Sequence, residues 1–578
     1  MSHVADERTS ESRRGLLGSS VLMAVGTTVS RITGFVKNVC LVLALGSALF
    51  ADTFNLANSI PTSIYILVAG GALNAVFVPQ LVRAMKEDPD GGQAFGQRLL
   101  TATALLLLTI SVLAVLAAPW LIRIWGSDDM LAPENQAYFD LTVTFARYCL
   151  PQIFFFGIYA ILGQVLNARG VFGPMMWSPI LNNLVGIGVF VTFIVVGGAA
   201  GPGEITAGEE ALLGLGTSCG IALQALALLP VLRRTGFSLR PRFDLWNAGL
   251  GKSFRLATWT LGFVLVNQLW FLVATKLTTG VSAQAEAVGV SEGLGLTPYQ
   301  TAFFIFQLPH GIVVVSLVTA LLPRMSRAAA AGRVAEVAAD ISHGLRVVAV
   351  ALLPAVAAFL ALGPLLAVAI YNHGETSRDS AQVIGYVLMG FAPGLLGFSS
   401  HYTVLRGFYA YEDTRTPATI QLVVMLSSAT AAFAAYTWLP LEWKTVGIAG
   451  AYGLGYWAGF GVSQAMLRRR LRRIGAAAGP MATPDPAGPA IPDFQAGRIL
   501  GTYLRAGSAA LLAGLLGFGV SRLLVGWLGD DPMIAFLAVA VGGLLIASGY
   551  LGFARLFGVR ELTELTGIVA RVRRRRRD

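Results

Sequence analysis

VVAVALLPAVAAFLALGPLLAVAIY, residues 347–371, runs for 25 positions without one charged side chain. As a helix rising 1.5 Å per residue it reaches about 38 Å, beyond the ~30 Å hydrocarbon core of a bilayer. Apolar segments of this kind recur from residue 18 to residue 556. The chain has 578 residues, 55% of them hydrophobic and 13% charged, with a mean hydropathy of +0.67. Soluble domains carry about 25% charged residues, so half that fraction cannot cover the surface of several such domains. A soluble enzyme, a nucleic-acid binder and a secreted disulfide scaffold are excluded. The three cysteines (Cys40, Cys149, Cys219) all sit in apolar segments and imply no disulfide framework.

Working outward from 340–371, the rule of about 20 apolar residues per crossing predicts fourteen helical spans. They lie near 18–46, 51–80, 97–124, 136–167, 173–198, 208–232, 250–276, 297–323, 340–371, 379–408, 416–439, 445–467, 498–525 and 532–556. Helices are expected because backbone groups in lipid must be satisfied within the segment, and β-barrel alternation is absent. The first fifteen residues, MSHVADERTSESRRG, are polar and lead into span 1 without an A-x-A cleavage pattern, so an uncleaved first span is expected.

The net charge of +11 follows the loops. If the N-terminus is cytoplasmic, 32 of the 42 basic residues fall in inside segments and five in outside loops. The outside loops carry acids instead, as in GSDDMLAPEN (126–135) and GEITAGEE (203–210). This asymmetry predicts both termini in the cytoplasm and an even number of spans. The RVRRRRR tail (571–577) is expected to touch anionic headgroups.

Three proline pairs share nearly one offset: Pro79 and Pro323, Pro151 and Pro393, Pro174 and Pro417. Duplication of a six-span unit follows, with parallel repeats related by an axis along the membrane normal. The Ala/Pro/Gly-rich segment 474–497 reads as a cytoplasmic linker. The expected organisation is a tail (1–17), an N-lobe of spans 1–6 (18–232) and a C-lobe of spans 7–12 with its preceding loop (233–473). After the linker come spans 13 and 14 (498–556) and a basic tail (557–578). The fold class is an all-α polytopic membrane protein.

No catalytic constellation, nucleotide loop or paired-cysteine motif occurs, and no cofactor or metal is expected. Work must then come from an ion gradient or the membrane potential, and charges within spans are the informative residues. Arg31 lies thirteen residues into span 1, too deep to snorkel back to the entry face. Lys37 follows six residues on, and either shares a cavity with Arg31 or snorkels outward. Arg147, four residues before Pro151, is a ligand group or a brace for the proline kink. Asp52 opens span 2 as a helix-start carboxylate, or as the counter-charge to Arg31 or Lys37. A net-positive cavity selects an anion, and the arginine fork suits phosphate. Asn267, Gln268, Gln307, His310 and His401, polar exceptions in the second repeat, read as interhelical hydrogen-bonding groups. Asp413 reads as a staple of the loop turn.

TVSRITGFVKN (28–38), ADTFNLANSIP (51–61), GGALNAVFVPQ (70–80), LPQIFFFGIYAILGQVLNARGVFGP (150–174), FQLPHGIVVVSLVTALLPRMS (306–326) and LRGFYAYEDTRTP (405–417) resemble the MurJ/MviN family. These are the lipid II flippases of peptidoglycan synthesis, within the multidrug/oligosaccharidyl-lipid/polysaccharide exporter superfamily. The resemblance implies two six-helix lobes around a cavity of alternating access, with the last two helices forming a groove for the polyprenyl tail. It implies that lipid II, an undecaprenyl-diphosphate-linked sugar–peptide, moves from the cytoplasmic to the outer leaflet of the bacterial inner membrane. It assigns substrate contacts to Ser30, Arg31, Lys37 and Asp52, with Arg147 supplying part of the charge that the family pattern has elsewhere. Tyr65, Gly70 and Phe304 stand where family members often carry charges, which bears on the headgroup pose. Expected partners are lipid II, anionic membrane lipids and proteins of cell-wall synthesis, with no nucleic acid. The competing readings are export of another lipid-linked glycan, multidrug-type export on the same fold, and a non-transporting scaffold for envelope enzymes.

Overall fold

The computed structural model describes residues 25–70, 78–198, 203–244, 254–290, 292–477, 495–529 and 531–562. The 1–17 tail, the first residues of span 1, most of the 474–497 linker and the 571–577 basic run lie outside the described residues. Every regular element among the described residues is a helix. Helices α1 (Val25–Leu45), α2 (Leu49–Tyr65), α3 (Val78–Glu87), α4 (Gln93–Leu116), α5 (Ala118–Trp125), α6 (Gln136–Cys149), α7 (Gln152–Ala168), α8 (Gly173–Val195), α9 (Ala207–Leu226) and α10 (Leu228–Arg234) come first. They are followed by α11 (Phe254–Ala287), α12 (Leu296–Pro309), α13 (Val315–Ala330), α14 (Val334–Tyr371), α15 (Arg378–Tyr409), α16 (Arg415–Trp438), α17 (Leu441–Ala477), α18 (Ala496–Leu528) and α19 (Pro532–Leu556). The chain divides into two compact units, Met1–Gln268 and Leu269–Asp578.

Twelve helical segments among the described residues are long and apolar enough to cross a membrane. Two of the fourteen expected spans fall short by that measure. In the 51–80 span, α2 has 17 residues and passes into a five-residue π-turn, Ile66–Gly70, next to residues 71–77, which lie outside the description. In the 445–467 span, α17 is long enough but rich in glycine and tyrosine. Close packing explains that composition. A methyl carbon on Gly394 of α15 would lie 2.5 Å from the Gly453 Cα of α17, and one on Gly390 would lie 2.6 Å from the Val446 carbonyl. Small residues let the two backbones meet, and apolar bulk is sacrificed for that approach.

In the first unit, α1 and α8 run side by side in the same direction. Gly26 faces Trp177, Gly34 faces Asn183 and Gly186 faces Lys37. Phe54 of α2 meets Phe145 and Phe190 edge to face, at 5.4 and 5.9 Å between ring centres. The segment after α10 straps back across the start of α4. Gln93 Nε2 donates to the Gly236 carbonyl (3.0 Å), Gln97 Nε2 to the Ser238 carbonyl (2.7 Å), and Arg98 pairs with Asp244. That ion pair holds the Asp244 carboxyl below its ordinary range.

In the second unit, the hairpin α18–α19 packs on α14 through Ala506, Ala509, Ala510 and Ala513. Tyr550 donates its hydroxyl proton to the Val350 carbonyl at 2.8 Å. Arg346 joins α14 to Glu561 after α19, at 2.7 Å and largely buried. α12 and α13 are linked by a second π-turn, His310–Val314. Each boundary of this turn lies 244 residues beyond that of Ile66–Gly70, the offset of the Pro79 and Pro323 pair. Such turns are rare and mark functional irregularities in helices. Their recurrence at one offset supports the duplication.

Candidate substrate site

The turn of α1 that carries Arg31 is gripped by α8. Asn183 Nδ2 donates to the Ser30 carbonyl at 2.9 Å and to Thr33 Oγ1 at 3.0 Å. The Thr33 hydroxyl in turn donates to the Val29 carbonyl at 3.0 Å. Arg31 itself is half-buried and makes no ion pair or hydrogen bond among the described residues. Ser30 contributes a backbone acceptor rather than a hydroxyl contact.

Lys37 enters a cavity of about 120 Å³ lined by Asn58, Thr62, Gln152, Asn182 and Thr217, with Phe156 and Phe190 closing its sides. Gly186 makes the room. A methyl carbon there would stand 2.5 Å from Lys37 Cδ. Gln152 is the hub of the wall, donating to Asn58 Oδ1 and to Ser218 Oγ, each at 3.1 Å. Ser218 donates onward to the Tyr148 carbonyl at 2.8 Å. The ammonium has no carboxylate partner among the described residues. Amide and hydroxyl dipoles can share a cation with an anionic guest, whereas a carboxylate would neutralise it. Sequence reasoning missed Asn58, Gln152, Asn182, Asn183 and Thr217. The available signal was amide side chains inside otherwise apolar spans.

The other candidates are placed elsewhere. Asp52 is fully buried in the first turn of α2, beyond the turn that ends α1. From Arg31 to the end of α1 is fourteen residues, about 21 Å of helix, and the two residues form no ion pair. Arg147 is exposed on α6, outside the cavity. It does not brace the kink either. Ser111 and Ser218 donate to the Leu150 and Tyr148 carbonyls around Pro151. Tyr65 stacks on Phe156 at 5.5 Å and so backs the cavity wall. Gly70 closes the first π-turn, and Phe304 lies in α12, half-buried.

The second unit fills its interior differently. Phe303, Phe306, Phe391, Phe398, Tyr452 and Tyr456 form a continuous aromatic cluster. His310 contacts Ser399 Oγ through Nδ1 at 2.9 Å, and His401 contacts Ser463 Oγ at 3.3 Å. An apolar groove of about 500 Å³ runs between α14 and α18, lined by Leu353, Ala357, Leu360, Leu511, Leu515 and Phe518. At the α15–α16 turn Asp413 accepts from the Thr416 N–H and hydroxyl and pairs with Arg470. Burial opposes its charge, but these partners prevail and hold its carboxyl below the ordinary range. Among the described residues, no three His, Cys, Asp or Glu side chains gather as metal ligands.

Twelve membrane-length helices among the described residues, two matching π-turns and a cation in an amide-lined pocket define a polytopic helical membrane protein. A family model described as lipid II flippase MurJ matches residues 41–524. The chain belongs to the MurJ lipid II flippase family. It is 27% identical over 420 residues to a probable lipid II flippase MurJ of Rhizobium meliloti, covering 70% of this chain and 73% of that one. To the lipid II flippase MurJ of Burkholderia cenocepacia it is 26% identical, covering 69% and 74%. A solved lipid II flippase MurJ in an inward closed conformation superposes with a TM-score of 0.68 at 17% identity, over 93% of this chain and 98% of that one. An inward-facing multidrug resistance MATE family transporter matches with 0.58 at 14% identity, over 78% and 96%.

Proposed function

We propose that this chain is a flippase that carries lipid II from the cytoplasmic to the outer leaflet of a bacterial inner membrane. Its family membership supports the reading, and the single structural observation that carries it is the placement of Arg31 and Lys37. Both cations lie on one helix, inside the membrane span, without carboxylate partners among the described residues. Leaving them so in an apolar setting is costly, and an anionic substrate recovers that cost. Arg31 takes the diphosphate through its two-pronged fork, and Lys37 adds charge from within its cavity. The α14–α18 groove accommodates the polyprenyl tail. Both termini and the basic loops face the cytoplasm, where the C-terminal arginines meet anionic headgroups. Spans 1–6 and 7–12 act as the two lobes of an alternating-access transporter, and spans 13 and 14 as the added pair. A membrane potential of 100 mV supplies ~2.3 kcal/mol per charge moved, enough to bias two states of similar energy.

Depletion of the protein in its host should cause lipid II to accumulate on the cytoplasmic leaflet, read by leaflet-selective labelling. Unchanged leaflet distribution after depletion refutes the reading.

A further inference from the structure

Near its basic ends the second unit holds Arg406, an arginine that the neighbouring carboxylates do not engage. Arg324 pairs with Asp340, Arg333 with Glu336, Arg346 with Glu561 and Arg470 with Asp413. Arg406, one turn from the end of α15, makes no ion pair and no hydrogen bond among the described residues. Its Nε is buried without a partner, a rare condition for so strong a donor and one that calls for a physical explanation. Its Cζ lies 4.0 Å from the ring centre of Tyr402 and 5.4 Å from that of Tyr409. Tyr402 is itself set by His310 of the π-turn, edge to face at 5.1 Å, and His310 is held by Ser399.

Stacking of this kind covers the guanidinium face and keeps the Nη donors in one plane with the buried Nε–H, so that they remain able to bond a ligand. Such a donor set matches two oxygens of a phosphate. Of the two nearest acids in sequence, Glu412 is exposed and makes no ion pair among the described residues, and Asp413 is occupied by Thr416 and Arg470.

We propose that Arg406, stacked over Tyr402 and Tyr409, is a phosphate-binding site at the cytoplasmic end of the second unit that receives the diphosphate of the lipid substrate. This rests on the flippase reading and assigns a phosphate contact within the second unit. Free phosphate offers the same chemistry, so the test must separate the two sources.

Full-length protein in nanodiscs is titrated with farnesyl diphosphate and, separately, with inorganic pyrophosphate, for wild type, Arg406→Gln, Arg406→Lys and Tyr402→Leu. Arg406→Gln should weaken farnesyl diphosphate binding roughly ten- to hundredfold, the scale of losing one or two charge-assisted hydrogen bonds. Arg406→Lys should recover only part of that loss, and Tyr402→Leu should weaken binding by releasing the guanidinium plane. Wild-type affinity in Arg406→Gln overturns the site. So does full recovery of both affinity and melting temperature by Arg406→Lys, which would make the residue a stacking cation and nothing more. Equal affinity for inorganic pyrophosphate overturns the lipid assignment. A parallel assay of lipid II movement in vesicles separates the two claims: an inactive wild type removes the flippase reading, whereas an active wild type with unaltered Arg406→Gln binding removes this site alone.

Discussion

Gly186 of α8 lies directly against the side chain of Lys37 of α1, and a single methyl carbon added there would approach Lys37 Cδ to 2.5 Å. The obstacle is a flexible chain rather than backbone, so Gly186→Ala should turn Lys37 out of its cavity and leave the helices packed. Alanine is better than glycine within a helix by about 1 kcal/mol. Thermal stability should therefore hold or rise while lipid II transport falls about tenfold, the equivalent of one mispositioned charge-assisted contact. Reduced stability together with unchanged transport would show that Lys37 does not act from the cavity.

Arg31 lies on α1 and Asp52 in the first turn of α2, with about 21 Å of helix between Arg31 and the end of α1. Arg31→Ala should abolish complementation of a flippase-depleted strain, with normal expression and insertion. The exchanged double variant Arg31→Asp/Asp52→Arg should remain inactive, since there is no ion pair to restore. Recovery of growth in the exchange would overturn the separation.

Gln152 bonds both Asn58 and Ser218, so Gln152→Leu removes two interhelical hydrogen bonds at once. Interhelical hydrogen bonds in membranes average about 0.6 kcal/mol, reaching about 1.7. A loss of about 1–3 kcal/mol should appear in unfolding measured in detergent. Asn58→Ala should remove less, because Ser218 still engages Gln152. Equal losses in the two variants would deny Gln152 its central place.

Much of this was readable from residue order alone. Uncharged runs such as 347–371 declare their crossings, because lipid tolerates little else. What residue order withholds is direction around a helix axis. Arg147 and Gln152 are five residues apart, yet one faces outward and the other anchors the cavity. The Lys37 chamber draws Asn58, Gln152, Asn182 and Thr217 from four helices, and within any single span each reads as one polar exception. Arg406 was hidden in a different way. It sits one turn from the end of α15, beside a basic loop, and its lack of an ion pair emerges only once the neighbouring acids are assigned.

Asp413 offers a pH test. Its folded carboxyl is held below the ordinary value of 3.8, so its contribution is present above that value and is lost as pH falls through the folded pKa. The destabilisation caused by Asp413→Asn should stay constant from pH 8 to pH 5 and shrink only below about pH 4. A difference already fading near pH 6 would mean that the carboxyl is not held low.

The glycine seam between α15 and α17 also has a bearing on biogenesis. A segment whose apolar content has been exchanged for close backbone contact gains little by partitioning into lipid alone. Its entry into the bilayer is expected to await α15, made earlier in synthesis, whose Gly390 and Gly394 offer the complementary surface. Widening Gly394 to leucine should then leave residues 441–477 poorly integrated in a glycosylation-mapping assay, even though the altered residue lies in another helix.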